Sequence, residues 1–384
     1  SSVSVGCYYI QDTDGNWETA DKWKNNEVPP QTTNDAYIKA ESTITKDKTI
    51  NNLSLSANAK VTVNSQFTLK VNGNMVNDGN ITFKSDASGT AQLDQFNGTM
   101  SGSGDILVER YVPQSNRAFR YISSPVNTSG TINANLQEGA TSGSEDPNPG
   151  FGTHITGSTD GSNGFDATQT GNPSMFEWNE GASEWNAIPN TDTKKMNASE
   201  AYALMIRGDR STDLNSNNAA VSPTTLRFTG TLVTGNQPVA TDSLSSTIGN
   251  YNLIANPYQA IVDTKSLLQT EANDLNTNFI YVYDPTLGTQ GGYATVDLND
   301  PSSTTPSTTG ANKNILPNQA FFIETTGKSP SLTFKETYKN VTGGLVKTFS
   351  NDDMLSKMRV NLKRQPTDVL VDGVTARFDA QYSN

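Results

Sequence analysis

An internal duplication constrains this chain more than any other feature. Within residues 104–343, Phe119-Arg-Tyr-Ile-Ser-Ser-Pro-Val126 matches Tyr251-Asn-Leu-Ile-Ala-Asn-Pro-Tyr258. Four further pairs follow in the same order. Met175-Phe-Glu-Trp178 matches Tyr281-Val-Tyr283, and Trp185-Asn-Ala-Ile188 matches Tyr293-Ala-Thr-Val296. Glu200 to Ile206 matches Gln319 to Ile323, and Leu226-Arg-Phe-Thr-Gly230 matches Leu332-Thr-Phe334. Each copy offers about six strands, which implies two related β-sandwich modules or one sandwich built from two halves.

The copies differ in one connection. Pro125 and Pro257 lie 132 residues apart, but Leu226 and Leu332 only 106. The first copy therefore carries an inserted Gly, Ser, Asp and Asn-rich loop over 127–174. Long loops in compact domains tend to carry function, so this insertion is the expected partner-contacting surface.

Ahead of the duplication, residues 36–112 form short alternating runs such as Leu53-Ser54-Leu55, Val61-Thr62-Val63 and Ile81-Thr82-Phe83, separated by Asn, Asp or Gly. Such runs are too short for a free sheet but suit the rungs of a parallel β-solenoid, with room for about four coils. Trp17 and Trp23, with Pro29 and Pro30, are expected to cap its first coil by packing. The predicted class is thus all-β: a short parallel β-solenoid followed by duplicated β-sandwich modules. The expected domains are 1–112 for the capped solenoid, 113–230 and 231–349 for the two copies, and 350–384 for the start of a further β domain. The last contains the strand patterns Met358 to Leu362 and Val369 to Phe378. Both ends are expected to be cut from a longer protein.

Composition excludes several classes of function. A net charge of −12 repels phosphate backbones and anionic lipid, so no nucleic-acid partner is expected. The longest apolar run, Ala201 to Ile206, is far short of the ~20 residues of a spanning helix, so no membrane insertion is expected. Cys7 is the single cysteine and cannot close a disulfide within the chain. With one Cys and one His, the usual zinc sets cannot be assembled.

His154 is the only candidate base for a hydrolytic triad, and no Gly-x-Ser-x-Gly elbow accompanies it. Acidic residues that could pair for glycoside hydrolysis fall mostly in turns. The sequence predicts that the chain is not an enzyme and has no resident cofactor.

Asp12-Thr-Asp-Gly-Asn16 places oxygen ligands at Asp12, Asp14 and Asn16, which fits either a calcium ion or a plain turn. Asp160, Asp166, Asp297 and Asp300 are weaker metal candidates. Arg207-Gly208-Asp209, a tripeptide known from integrin ligands, reads here as a strand-ending turn. Asn97-Gly-Thr99 fits the N-glycosylation triplet. Asp242-Ser243-Leu244 resembles a short bacterial O-glycosylation signal, with Ser243 as the acceptor. Trp178, Trp185 and Tyr283 are candidates for stacking on sugar rings.

Gly15-Asn-Trp17 with Trp23 and Pro29, Arg110-Tyr-Val-Pro113, Arg120 to Pro125, Gly164-Phe-Asp-Ala167, Arg207 to Arg210, Asn252 to Tyr258 and Pro317 to Phe322 together resemble the large surface proteins that Bacteroidota export by the type IX secretion system. In that family such modules precede a C-terminal sorting domain. The resemblance implies export across the outer membrane, then surface display or release. Adhesion or gliding motility is the implied task, and the secretion translocon or surface-attachment components are the implied partners. It transfers no catalytic residue.

An adhesin-like or structural cell-surface protein is therefore expected. The rival readings are a non-catalytic carbohydrate-binding region of a secreted polysaccharide-degrading enzyme, and a self-associating subunit of a surface filament or secretion assembly. A surface polysaccharide or self-association is the further candidate partner, and the sequence identifies no ligand.

Overall fold

A computed structural model describes residues 8–30, 32–216, 219–300 and 304–341, together with the backbone of 357–364 and 369–377. Cys7 and Phe378 lie outside the described residues. The chain is all-β, and among the described residues the helices are Ile132–Leu136, Thr264–Glu271 and single 3-10 turns.

The N-terminal third builds three parallel stacks. The first contains Tyr8–Gln11, Asp35–Ile38, Leu53–Leu55, Met75–Asn77 and Met100–Ser101. The second contains Gly15–Asn16, Glu41–Ile44, Lys60–Val63, Asn80–Phe83 and Ile106–Val112. The third contains Lys48–Ile50, Thr68–Val71 and Gln92–Leu93. From Asp35 onward the chain visits first, second and third stack in turn, and the pairing begins at Tyr8–Gln11, ahead of residue 36.

Alternation decides which side chains face inward. Ile44, Val63 and Phe83 stand in register on adjacent strands, with Val108 next, and all four are fully buried. Trp17 and Trp23 are also buried, edge to face at 4.9 Å, with the Trp23 indole N–H donating to the Trp17 carbonyl at 2.8 Å.

Asn and Asp at the corners have a specific task. The Asp35 carboxylate accepts from the Asn52 backbone N–H, the Asn52 side chain from that of Asn74, and the Asn74 side chain from that of Thr99, at 3.0, 2.7 and 2.9 Å. Each rung thus satisfies a backbone donor of the next where the ladder turns.

The two copies share one topology. In the first, strands run in the order Ala118–Ser123, Ala201–Ile206, Met175–Asn179, Glu184–Ala187. In the second the order is Tyr251–Ala255, Ala320–Glu324, Phe279–Asp284, Gly292–Asp297, with Thr304–Thr305 added at the edge. The two sheets meet through a shared layer in which Tyr121 and Ala203 of one copy face Leu253 and Phe322 of the other. Large and small side chains are exchanged at equivalent positions: Tyr121 pairs with Ala203, Leu253 with Phe322. One corner is closed by an isolated bridge between Ile122 and Gln319.

Each copy also closes one stack. Thr224–Leu232 leaves its own copy's sheet and pairs antiparallel with Ile106–Val112, so the second stack runs through residue 112 into the first copy without a break. The second copy docks on the third stack: the Leu93 N–H donates to the Gln259 carbonyl at 2.8 Å, and the Ile261 N–H to the Gln92 side chain at 2.9 Å.

The insertion 127–174 is a packed element, not the open loop its composition implies. It holds the helix Ile132–Leu136 and the strands Thr156–Ser158 and Asp166–Ala167, and it buries Ile132, Leu136, Ile155 and Phe165. The second copy has its own helix, Thr264–Glu271, after the matching first strand. Beyond residue 350, Lys357–Arg364 and Val369–Arg377 pair antiparallel, as the strand patterns there predict.

Candidate functional site

Where the two copies meet, the shared aromatic layer opens into a groove of about 550 Å³. Phe322 forms its floor, 5 % exposed, and Trp178, Tyr251, Tyr281 and Tyr293 form its walls, with Ser183 and Asn250 at the rim. Tyr251 is 39 % and Tyr293 49 % exposed, the largest uncovered rings among the described residues.

Strand pairing places these rings. Trp178 and Trp185 are direct cross-strand partners in the hairpin of the first copy, with ring centroids 5.0 Å apart. The Trp178 indole N–H donates to the Tyr251 carbonyl at 2.8 Å, which locks the ring across the seam. Phe322 lies 5.0 Å from Trp178, 6.1 Å from Tyr293 and 6.5 Å from Tyr251. Tyr251 and Tyr281 stand edge to face at 5.3 Å. The result is a concave aromatic surface edged with phenol hydroxyls, those of Tyr293 and Tyr121 being bonded to each other.

Burial and the neighbouring Tyr251 push the Tyr281 phenol up to about 12, and burial raises Tyr293 as well. Both therefore remain neutral donors at physiological pH. At the rim, the Asn250 amide donates to the Glu180 carbonyl at 3.4 Å. The Glu180 carboxyl is raised to about 7 by burial and by the negative charges of Asp242 and Glu177.

Of the three predicted sugar-stacking residues, only Trp178 lines the groove. Trp185 is held between Tyr121 and Trp178, at 5.3 and 5.0 Å. Tyr283 packs on Tyr121 and Tyr293 at 5.1 and 5.3 Å, and its hydroxyl donates to the Gln290 carbonyl. Tyr251, Tyr281 and Phe322 belong to strands the duplication identifies, but which face each presents depends on how the two sheets meet.

The other candidates are dispersed. The Asp14 carboxylate accepts from the Glu41 backbone N–H at 2.8 Å, repeating the rung-to-rung tie described above, while Asp12 and Asn16 are exposed. Among the described residues no three acidic, His or Cys side chains gather as a metal site. Asp160 and Asp297 accept backbone N–H groups of their own turns. Asp300 is exposed, and Ser243 is half-buried at the end of the 3-10 turn Thr241–Ser243. Asp209 accepts from Ser211 and Ser222 hydroxyls within its turn.

His154 and Asp166 are fully buried with Arg210. His154 Nδ1 is 3.1 Å from Asp166 Oδ2, and both terminal nitrogens of Arg210 donate to the same carboxylate at 2.9 and 2.8 Å. Burial alone would raise the Asp166 carboxyl, but His154 and Arg210 outweigh it and hold it down at about 2. Arg210 also donates to the carbonyls of Ser142, Glu145 and Thr153, so the cluster staples the insertion to the end of the strand Ala201–Ile206.

A domain family described as a domain of unknown function, DUF8693, matches residues 9–143. The span covers the three parallel stacks and the first strand and helix of the first copy, and it ends before the aromatic groove. No curated protein and no solved structure gives a significant match.

Proposed function

We propose that this chain is a non-catalytic, adhesin-like surface protein that binds neutral carbohydrate. In this reading the three parallel stacks are a short β-solenoid that serves as a stalk. The two duplicated copies form the halves of one β-sandwich head, and the groove at their seam holds the glycan. Export by the type IX route and display at the cell surface belong to the same proposal and rest on the sequence resemblance.

The observation that carries the binding role is the pair of half-uncovered rings, Tyr251 and Tyr293, above the buried Phe322. Pyranose rings offer C–H faces to aromatic walls and hydroxyls to phenol and amide groups, and the groove supplies both. Its volume lies within the usual range for small-ligand sites. The rigid walls would lose little conformational entropy on binding.

The test is titration of neutral oligosaccharides, followed by Trp fluorescence and calorimetry. Tyr293→Ala and Tyr251→Ala are expected to weaken binding about tenfold each, a loss of roughly 1.4 kcal/mol. No binding across a broad panel of neutral glycans, or unchanged affinity in both variants, would refute the reading.

A further inference from the structure

The insertion helps to build a second concavity, of about 740 Å³. Its walls carry Arg117, just before the first strand of the copy, and Arg207, just after the strand Ala201–Ile206. Gln169 and Asn172 of the insertion and Asn215 face them, all exposed. Among the described residues no acidic side chain lines the cleft, although the whole chain carries a net charge of −12.

Arg207 is the unusual member. It is half-buried, its Nε is withdrawn from solvent without a hydrogen-bond partner, and among the described residues it has no ion-pair partner. The nearby Asp166 carboxylate is already committed to Arg210 and His154. Burial and the like charge of Arg117 lower the Arg207 guanidinium to about 10, which leaves it charged at neutral pH. A half-buried guanidinium whose Nε lacks a partner is better satisfied once an anion arrives, and its planar shape suits an oxyanion.

The remaining lining chooses among anions. Gln169, Asn172 and Asn215 present amides suited to hydroxyl groups, whereas the only apolar side chains are Ala167 and Leu214. A peptide would find little to bury here. We propose that this cleft binds an acidic polysaccharide, with the sulfate or carboxylate of one sugar held by Arg207 and Arg117 and the neighbouring hydroxyls held by the amides.

The site is separate from the aromatic groove, and the arginine variants distinguish the two, because neutral sugar held in the groove would not respond to them. The intact chain is titrated by calorimetry with a sulfated tetrasaccharide, a uronate tetrasaccharide, the desulfated counterpart and a glutamate hexapeptide, at low salt and at elevated salt. Binding of the sulfated or the uronate sugar is expected, weakened by salt. Arg207→Gln and Arg117→Gln should each reduce it about tenfold. Circular dichroism and melting temperature establish that each variant is folded, and Arg117→Gln carries the test if Arg207→Gln is not. Binding of the desulfated sugar that falls in the arginine variants as much as that of the acidic sugars, tighter binding of the peptide, no binding of either acidic sugar, or unchanged affinity for them in the folded variants would overturn the proposal.

Discussion

Lys339 Nζ sits 2.7 Å from the Glu336 carboxylate, and both side chains are almost wholly withdrawn from solvent. Glu336 also accepts the backbone N–H groups of Phe96 and Gly235, at 2.9 and 2.8 Å, and Lys339 donates to the carbonyl of Leu93. One buried ion pair thus joins the end of the third stack, the linker between the copies and the second copy. Glu336→Ala strands the ammonium and two backbone donors together. Removing one partner of a buried pair typically costs about 3–5 kcal/mol, so a large fall in melting temperature is expected. A melting curve that superimposes on the parent's would show that the pair does not hold the junction.

The stacks set a steric limit at their corners. A Cβ at Gly104 would lie 1.9 Å from the Gly79 carbonyl oxygen, and one at Gly98 equally close to that of Gly73. Gly104→Ala and Gly98→Ala must push adjacent rungs apart, with an expected loss of several kcal/mol or failure to yield folded protein. Gly181, in the hairpin turn, has only the Asn179 side chain at 3.5 Å. Gly181→Ala is expected to change stability by no more than about 0.5 kcal/mol, as measured by denaturant titration.

The pH dependence has a definite sign at Glu180. Its carboxyl is raised to about 7 in the folded protein, so between about 4.5 and 7 the native state holds a proton that the unfolded chain has released. The contribution of Glu180 to stability is fully present at acidic pH and is lost as pH rises through that window. Glu180→Gln should flatten this slope and stabilise the protein relative to the parent at pH 8. Unchanged slopes in paired denaturation curves would contradict the assignment.

Asp166→Asn keeps the side-chain volume but leaves Arg210 without its buried counter-charge. A loss of about 3–5 kcal/mol is expected, concentrated in the insertion. Hydrogen exchange should show faster exchange at Ile155 and Thr153 than in the parallel stacks. Uniform acceleration across the whole chain would instead mean that the insertion and stacks unfold as one unit.

Much of the scaffold was legible in the residues themselves. Leu53 and Leu55, Val61 and Val63, and Leu69 and Val71 alternate with polar neighbours, and all six are buried. The duplication likewise identified the matching strands, because each copy must rebuild the same inward face. What could not be read was long-range partnership. Nothing local to Thr224–Leu232 says that it pairs with Ile106–Val112 across more than a hundred residues. Arg210 and Asp166 are ordinary turn-region letters until the fold brings them together. The groove has the same character: Trp178 stood out by type, but Tyr251 and Tyr293 became its walls only through the meeting of two sheets. In the insertion, Gly, Ser and Asp concealed a packed core built from a few well-spaced apolar residues.

The strand Thr224–Leu232 runs against the direction of every earlier member of its stack. That reversal fixes where a strand could be added to the stack. One inserted after Ile106–Val112 would displace Thr224–Leu232 and part the stack from the first copy, whereas one duplicated between Glu41–Ile44 and Asn80–Phe83 would meet parallel neighbours like itself. The stack can therefore lengthen in its middle without disturbing the antiparallel seam that ties it to the first copy.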